Sequence, residues 1–288
     1  MIQYKMKTLF TIFFCVLFAM AGAQPKNDWQ EDQLRGKVKS LRAIPYKVKG
    51  GEGTAFSKGE IEDDDDLVVF KMSNIYNKYK RYNPEGMLVE TRFLFKDETI
   101  YLRSEYYYNP QGKLFMERQN SDKIMFVYDP QGFLVKEVTY SPGGFLKSHI
   151  DYEVDAQGRR EKETYYMSNA PTESTTYQYN RKGQVIESIK YDKEGNFVEK
   201  RLFKYNVQGL VVRIRTYNKD NRLIKTSDKT YNPQGDCIRW EVHNKTTKVK
   251  IVETFQYTYD AHNNWVSAVY FVNGSPTQII ERTLDYYE

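Results

Sequence analysis

The sequence predicts an all-β fold: an antiparallel meander of about eight two-stranded repeats of about 26 residues each, coiled into an elongated or partly closed single-layer sheet. Three observations predict it. A pentapeptide, Tyr-Asn/Asp-x-x-Gly, recurs along the chain. Over 132–158 and 183–235 its copies fall at alternating steps of 12 and 14 residues. No segment sustains the apolar period of a helix, and short strands at such spacing favour all-β architectures.

Composition fits a thin structure. The 288 residues are 28% charged and 40% hydrophobic, the latter share carried by 25 Tyr. Mean hydropathy is −0.73, too polar for a bundle of membrane helices. Aromatic residues make up 15%, against the aromatic-poor signature of disorder. The net charge of +5 is too mild to call for nucleic acid.

From the N-terminus, Lys5 and Lys7 precede an apolar run from Leu9 to Met20, and Ala21-Gly22-Ala23 then offers a small-residue cleavage site. This reads as a secretory signal peptide (1–23) cut between Ala23 and Gln24, and it places the mature protein in a bacterial periplasm or outside the cell. Cys15 leaves with the signal, so Cys237 stays alone and no intrachain disulfide forms. No other apolar run is long enough for a membrane helix. Residues 24–66 read as a polar leader, a first strand over Lys37–Lys49, and a Gly-rich acidic loop ending in Asp63–Asp66. Residues 67–288 read as the repeat domain.

The turn chemistry is specific. Tyr82-Asn-Pro-Glu-Gly86, Tyr108-Asn-Pro-Gln-Gly112, Tyr128-Asp-Pro-Gln-Gly132 and Tyr231-Asn-Pro-Gln-Gly235 are near copies, and Gly144, Gly158, Gly183, Gly195 and Gly209 end variants. Asn221 and Asn263 replace the Gly in two more. Asn or Asp caps the turn, Pro pre-sets φ, and the closing residue supplies φ > 0, a region Asn enters more readily than other non-glycine residues. The result is a type I turn with a bulge, a common hairpin loop. It sets each Tyr opposite the residue two after the Gly: Leu88, Leu114, Leu134, Leu146, Val185, Phe197, Val211, Leu223, Cys237 and Trp265, all apolar. Aromatic–aliphatic cross-strand pairs contribute roughly 0.2–1 kcal/mol each.

About sixteen strands at ~4.8 Å spacing extend ~75 Å if flat, and twist makes a flat sheet unfavourable. The buried face differs along the chain. Phe126, Tyr128, Leu134, Val138 and Tyr140 share one face, whereas Val212, Ile214, Ile224, Ile238, Trp240 and Val242 favour the other. Bulges that switch the faces would reconcile them. An open meander also has two free edges. Lysines and Pro45 protect the first, while Ile279–Tyr287 at the C-terminus is apolar enough for edge-strand self-association.

Over about residues 70–288, the Tyr-Asn/Asp-x-x-Gly-x-Leu/Val motif resembles the YD repeats of Rhs-type bacterial surface proteins and the MORN-like hairpin repeats of small antitoxin-annotated proteins. The YD resemblance implies a spiralling sheet, which in large relatives forms a shell around cargo. This chain is too short for such a shell and carries no toxin domain or Rhs-type core motif, so the cargo role is not carried over. The second resemblance implies an immunity-type function.

Chemical motifs are sparse. His149, His243 and His262 lack ligands at metal-binding spacing. Asp63–Asp66 lacks the alternating ligands of a calcium loop. Nucleophile elbows, phosphate loops and dinucleotide fingerprints are missing, and Cys237 reads as a packing residue. The reading is an exported non-enzymatic repeat protein with no cofactor, metal or catalytic residue. It would bind a protein or envelope polysaccharide through a Tyr-rich face, without nucleic acid and without membrane insertion. A glycan hydrolase using two carboxylates is the enzymatic alternative. The strand Leu223–Thr230 lacks the lipid-facing alternation of an outer-membrane barrel. N-terminal sequencing of the exported protein should begin at Gln24; recovery of intact Met1 or Met6 in the cytoplasm rejects the signal peptide.

Overall fold

The computed structural model describes residues 27–50, 56–62 and 77–288. The signal segment with its Ala23–Gln24 junction and the run Asp63–Asp66 lie outside the described residues. A short helix, α1 (Asp28–Glu31), precedes β1 (Val38–Lys49) and β2 (Ser57–Ile61). From β3 (Lys78–Tyr82) to β19 (Ser275–Tyr286), seventeen strands run as consecutive antiparallel neighbours. β1 inserts between the two ends of this series, pairing with β19 from Val38↔Tyr286 to Lys47↔Gln278 and with β3 from Ser40↔Arg81 to Ala43↔Lys78.

The sheet is therefore a closed antiparallel barrel of 18 strands with β2 as one extra strand. This corrects the elongated or partly closed sheet of two-stranded repeats expected from the sequence. Strand twist accumulates in one sense and brings the β3 edge round towards β19, leaving a gap one strand wide. Closure then satisfies two rows of backbone N–H and C=O groups that an open sheet leaves unpaired. It also overturns the expected C-terminal edge: Ile279–Asp285 are already paired with Ser40–Tyr46, so no free ladder remains there for self-association.

Pro45 shows why the lysine- and proline-bearing segment can sit inside a sheet. β3 pairs with β1 only as far as Ala43, and β2 takes over at Tyr46. The Pro45 carbonyl accepts from Glu62 N–H on that side. A residue's N–H and C=O point to the same side of an antiparallel strand. The missing N–H of Pro45 therefore faces the interval between the two partners, where no ladder bond is lost.

The turns are built as their side chains dictate. In the first, the Asn83 carboxamide oxygen accepts from Glu85 N–H and Met87 N–H, and Gly86 N–H donates to the Asn83 carbonyl. Gly86, Gly112, Gly132, Gly144, Gly158, Gly183, Gly195, Gly209, Asn221, Gly235 and Asn263 all have φ between 57° and 92°. Each of the ten Tyr–apolar pairs is in register, from Tyr82↔Leu88 to Tyr259↔Trp265. Asn120, Ser168 and Asn273 make tighter turns with φ of 50–53°. The turn at Ser168 carries no pentapeptide, and sequence reading passed over it.

Eight pentapeptide turns, those closed by residues 86, 112, 132, 158, 183, 209, 235 and 263, lie on one rim with the start of β1 and the end of β19. The turns closed by 144, 195 and 221 lie on the opposite rim. Every pentapeptide turn shifts the register by one residue on the downstream strand. The shift switches face parity, so residues two and five after the closing residue point the same way. This resolves the conflicting apolar faces: Phe126, Tyr128, Ile214, Trp240 and Val242 are all inward, whereas Val138 is outward.

The surroundings identify the inner face. Burial is the largest influence on Lys78, Glu117, Tyr152, Glu163, Tyr177, Glu253, Tyr257 and Arg282, which share one side of the sheet. The other side carries solvent-facing ion pairs. Two compact apolar clusters lie inside, both near the seam: Trp29, Leu34, Val38, Leu41, Ala43 and Tyr82, and then Ala268, Tyr270 and Ile280.

Replacement of Gly86 should cost more than replacement of Gly183. Both have positive φ, which costs an L-residue roughly 1–2 kcal/mol. A Cβ on Gly86 would also lie 2.5 Å from the Trp29 ring, whereas one on Gly183 meets nothing within 4 Å. Denaturant unfolding of Gly86→Ala and Gly183→Ala should show the larger loss at Gly86; equal losses would detach α1 from the rim.

Candidate functional site

The repeat arithmetic builds the lumen wall. The Tyr that opens each first-rim turn points inward: Tyr82, Tyr108, Tyr128, Tyr179, Tyr205, Tyr231 and Tyr259 form one girdle, with Val154 in the remaining place. Two residues earlier lies a second girdle, Tyr106, Phe126, Tyr152, Tyr177, Phe203 and Tyr257, completed by Lys80 and Lys229. Most of these rings are partly buried and keep some surface towards the lumen.

The first girdle is tied together by its hydroxyls. Tyr108 donates to the Leu88 carbonyl at 2.8 Å, and Tyr128, Tyr179, Tyr205 and Tyr231 donate to Leu114, Arg160, Val185 and Val211 at 2.7 Å. Tyr287 closes the circuit by donating to the Tyr82 carbonyl at 2.7 Å. Each bond links one hairpin to the next. Burial, reinforced by nearby Tyr179, pushes the Tyr205 phenol up to about 12. The girdle therefore stays un-ionised at neutral pH.

Opposite the second girdle, five residues after each closing residue, stand Thr91, Glu117, Glu137, Glu163, Ser188, Ile214, Trp240 and Ala268. One arc of the wall is thus acidic and another apolar. In the acidic arc, Tyr152 donates to Glu137 at 2.7 Å and Tyr177 to Glu163 at 2.6 Å. The Arg160 guanidinium lies between the two carboxylates, 3.9 Å and 3.8 Å away, and stacks over Tyr152 at 4.0 Å. Burial pushes the Glu163 carboxyl above its ordinary range despite Tyr177 and Arg160, and burial likewise raises Glu117.

The N-terminal segment covers the seam at the first rim. The Trp29 indole N–H donates to the Val38 carbonyl at 2.6 Å. Asp32 accepts from Lys80 at 2.5 Å and from Tyr82 at 2.6 Å. Burial favours the neutral form of Asp32, but Lys80 and Tyr82 prevail and hold it below the usual carboxylate range. Asp28 accepts from Leu88 N–H, and the Tyr108 hydroxyl lies 3.2 Å from the same carboxylate oxygen. Across the seam, Arg35 reaches the carbonyls of Gln234 and Asn263, and Asn264 bonds the Arg35 backbone. The segment therefore joins the first turn of the barrel to the last two on that rim.

The eleven closing residues are not gathered into a site; they are spread around the two rims. The histidines also stay apart. His149 stacks on Tyr166, His262 stacks on Tyr286, and His243 lies 2.7 Å from Lys245. No metal-binding group of His, Cys, Asp and Glu occurs among the described residues. Burial pushes the Cys237 thiol up, away from a reactive thiolate. Sequence reading missed Glu117, Glu137, Glu163 and Arg160. Their fixed offset from the closing Gly was the available signal, hidden because the bulge reverses the expected parity.

Neither a family model nor a curated protein matches the sequence. Among solved structures, a porin-like protein from Bacteroides uniformis is similar at 13% identity and a TM-score of 0.45, covering 86% of this chain and 96% of its own. A porin-like protein from Bacteroides vulgatus is similar at 11% identity and a TM-score of 0.33, covering 66% and 95%. The Photorhabdus luminescens Tc holotoxin pore is similar at 13% identity and a TM-score of 0.37, over 73% of this chain and 12% of that one.

Glu163→Gln should raise thermal stability at neutral pH. A carboxyl raised in the folded state gives stability that is complete below its unfolded value, ~4.3, and is lost as pH rises through the folded value. Ionised Glu163 is therefore a cost at neutral pH that Gln avoids. Melting curves should show the variant ahead at pH 7 and level with the parent near pH 3; a constant difference would reject the burial argument.

Proposed function

We propose that the protein is an exported, non-enzymatic, water-surrounded β-barrel that binds an extended polysaccharide in its aromatic lumen. The observation that carries this reading is the contrast between an inner wall ringed by two mainly aromatic girdles and an outer wall studded with ion pairs. The outer wall holds Lys136–Asp151, Lys162–Glu153, Arg213–Asp228 and the Arg239–Glu241–Lys250 group. A charged residue at the lipid midplane of a barrel costs up to ~4 kcal/mol, so a wall studded with pairs suits water rather than lipid. No helix among the described residues is long and apolar enough to cross a membrane.

The lumen suits sugars. Flat rings cover apolar C–H faces, and Tyr hydroxyls and carboxylates offer fixed hydrogen-bond partners to ring hydroxyls. Tyrosine supplies this area at low conformational cost. The export half of the proposal rests on the basic n-region, apolar run and Ala-x-Ala site at the N-terminus.

The barrel should purify without detergent and bind oligosaccharides of at least several units. Tyr177→Ala with Phe203→Ala should weaken that binding tenfold or more, while outward Tyr217→Ala leaves it unchanged. Partition of the folded protein into liposomes, or equal binding by all three proteins, would overturn the reading.

A further inference from the structure

A cross-strand row with two cations lies on the lumen side of the seam. In the closing register Ala43 pairs with Lys78 on one side and Arg282 on the other, so the three form a single cross-strand row. All three face inward. Two strand spacings put the Lys78 and Arg282 backbones about 10 Å apart, and the alanine between them leaves the space above the row to their side chains.

Among the described residues no carboxylate forms an ion pair with either cation. Among the described residues Lys78 makes no ion pair or hydrogen bond, and Arg282 Nε is buried without a hydrogen-bond partner. The guanidinium rests instead on the Trp265 ring, 3.2 Å from its centre. The carboxylates whose charge acts on them are already engaged: Asp32 holds Lys80 and Tyr82, and Asp236 accepts from Tyr259 at 2.8 Å. Further along β19 on the same face, Gln278 is 1% exposed, and both its amide atoms lack partners.

Buried charges are normally paired, because desolvation is expensive. Here burial, with Lys80 and Arg282 adding repulsion, lowers the Lys78 ammonium to about 7. Burial likewise lowers Arg282 to about 10. Perturbed charges of this kind cluster at functional sites, and an anionic ligand group would supply the charge that the Lys78–Ala43–Arg282 row lacks. We propose that the Lys78–Ala43–Arg282 row is an oxyanion subsite of the lumen, receiving the carboxylate or phosphate group of an acidic polysaccharide. The inference deepens the polysaccharide-binding reading and rests on it.

Calorimetric titration of the mature protein, with Trp fluorescence reporting on Trp265, tests the assignment. The probes are an oligogalacturonate, a phosphorylated maltohexaose, neutral maltohexaose, acetate and inorganic phosphate. A charged oligosaccharide should bind at least tenfold more tightly than the neutral one, and the preferred charged probe distinguishes carboxylate from phosphate. Lys78→Met with Arg282→Met should abolish that preference, leave neutral binding unchanged, and leave the melting temperature unchanged or higher. Should the double variant not fold, Lys78→Gln alone makes the same comparison, and Arg282→Lys should retain most of the preference.

Equal binding of charged and neutral oligosaccharides by the parent protein overturns the subsite and leaves the polysaccharide reading standing. A preference that survives the substitutions also overturns the subsite. Free acetate or phosphate bound as tightly as the oligosaccharides reduces it to a simple ion site. Absence of all oligosaccharide binding removes both readings together.

Discussion

The whole architecture depends on the pairing of β1 with β3 and β19. Seventeen hairpin-linked strands specify their own order, but nothing local specifies that they form a tube. One strand, placed far from β19 in sequence, converts a twisted ribbon into a barrel, abolishes both edges and defines an inside. One compact apolar cluster sits at this seam, where the segment 27–35 meets the inner wall, and the other lies beside it on β17, β18 and β19. Elsewhere stability comes from ladders, turns and tyrosine bonds distributed around the circumference.

The tyrosines do two jobs according to the rim on which their turn lies. First-rim tyrosines point inward and link successive hairpins through hydroxyl–carbonyl bonds. Tyr140, Tyr191 and Tyr217 precede second-rim turns and face outward. Units of 26 residues preserve this division, and the 25-residue unit from Gly158 to Gly183 does so through a further register shift at Tyr165/Tyr166, so one local motif furnishes both the internal girdle and part of the outer surface. The variation that gives the lumen chemical character is confined to a few offsets, such as Glu163 where a neighbouring repeat has Ser188.

The turns and strand pairs were legible because they are local. A closing Gly or Asn needs positive φ wherever it occurs, and the Tyr-to-apolar register follows from the turn alone. The inner face was not legible from alternation, because the bulge after each turn moves Val138 outward while Leu134 stays inward. Closure was not legible either. The lysines around Pro45 read as protection of an open edge, whereas Pro45 occupies the one interval where two partners of β1 meet and no N–H is required. The lumen carboxylates and the Lys78–Arg282 row were invisible for the same reason: a residue belongs to a lumen only once the sheet has closed.

The position of β1 in the chain also sets the order in which the molecule can be assembled. Among the described strands the closing strand β1 emerges first during synthesis and its partner β19 emerges after all the others. Hairpins between them form by short loop closures, which are fast. The final pairing spans more than two hundred residues, and such non-local contacts slow folding. Until it forms, both edges of the ribbon are exposed to other chains. The barrel thus combines rapid local construction with a late closing step, and a chain lacking only its last ten residues retains nearly every repeat but loses every β1–β19 pair except Lys47↔Gln278.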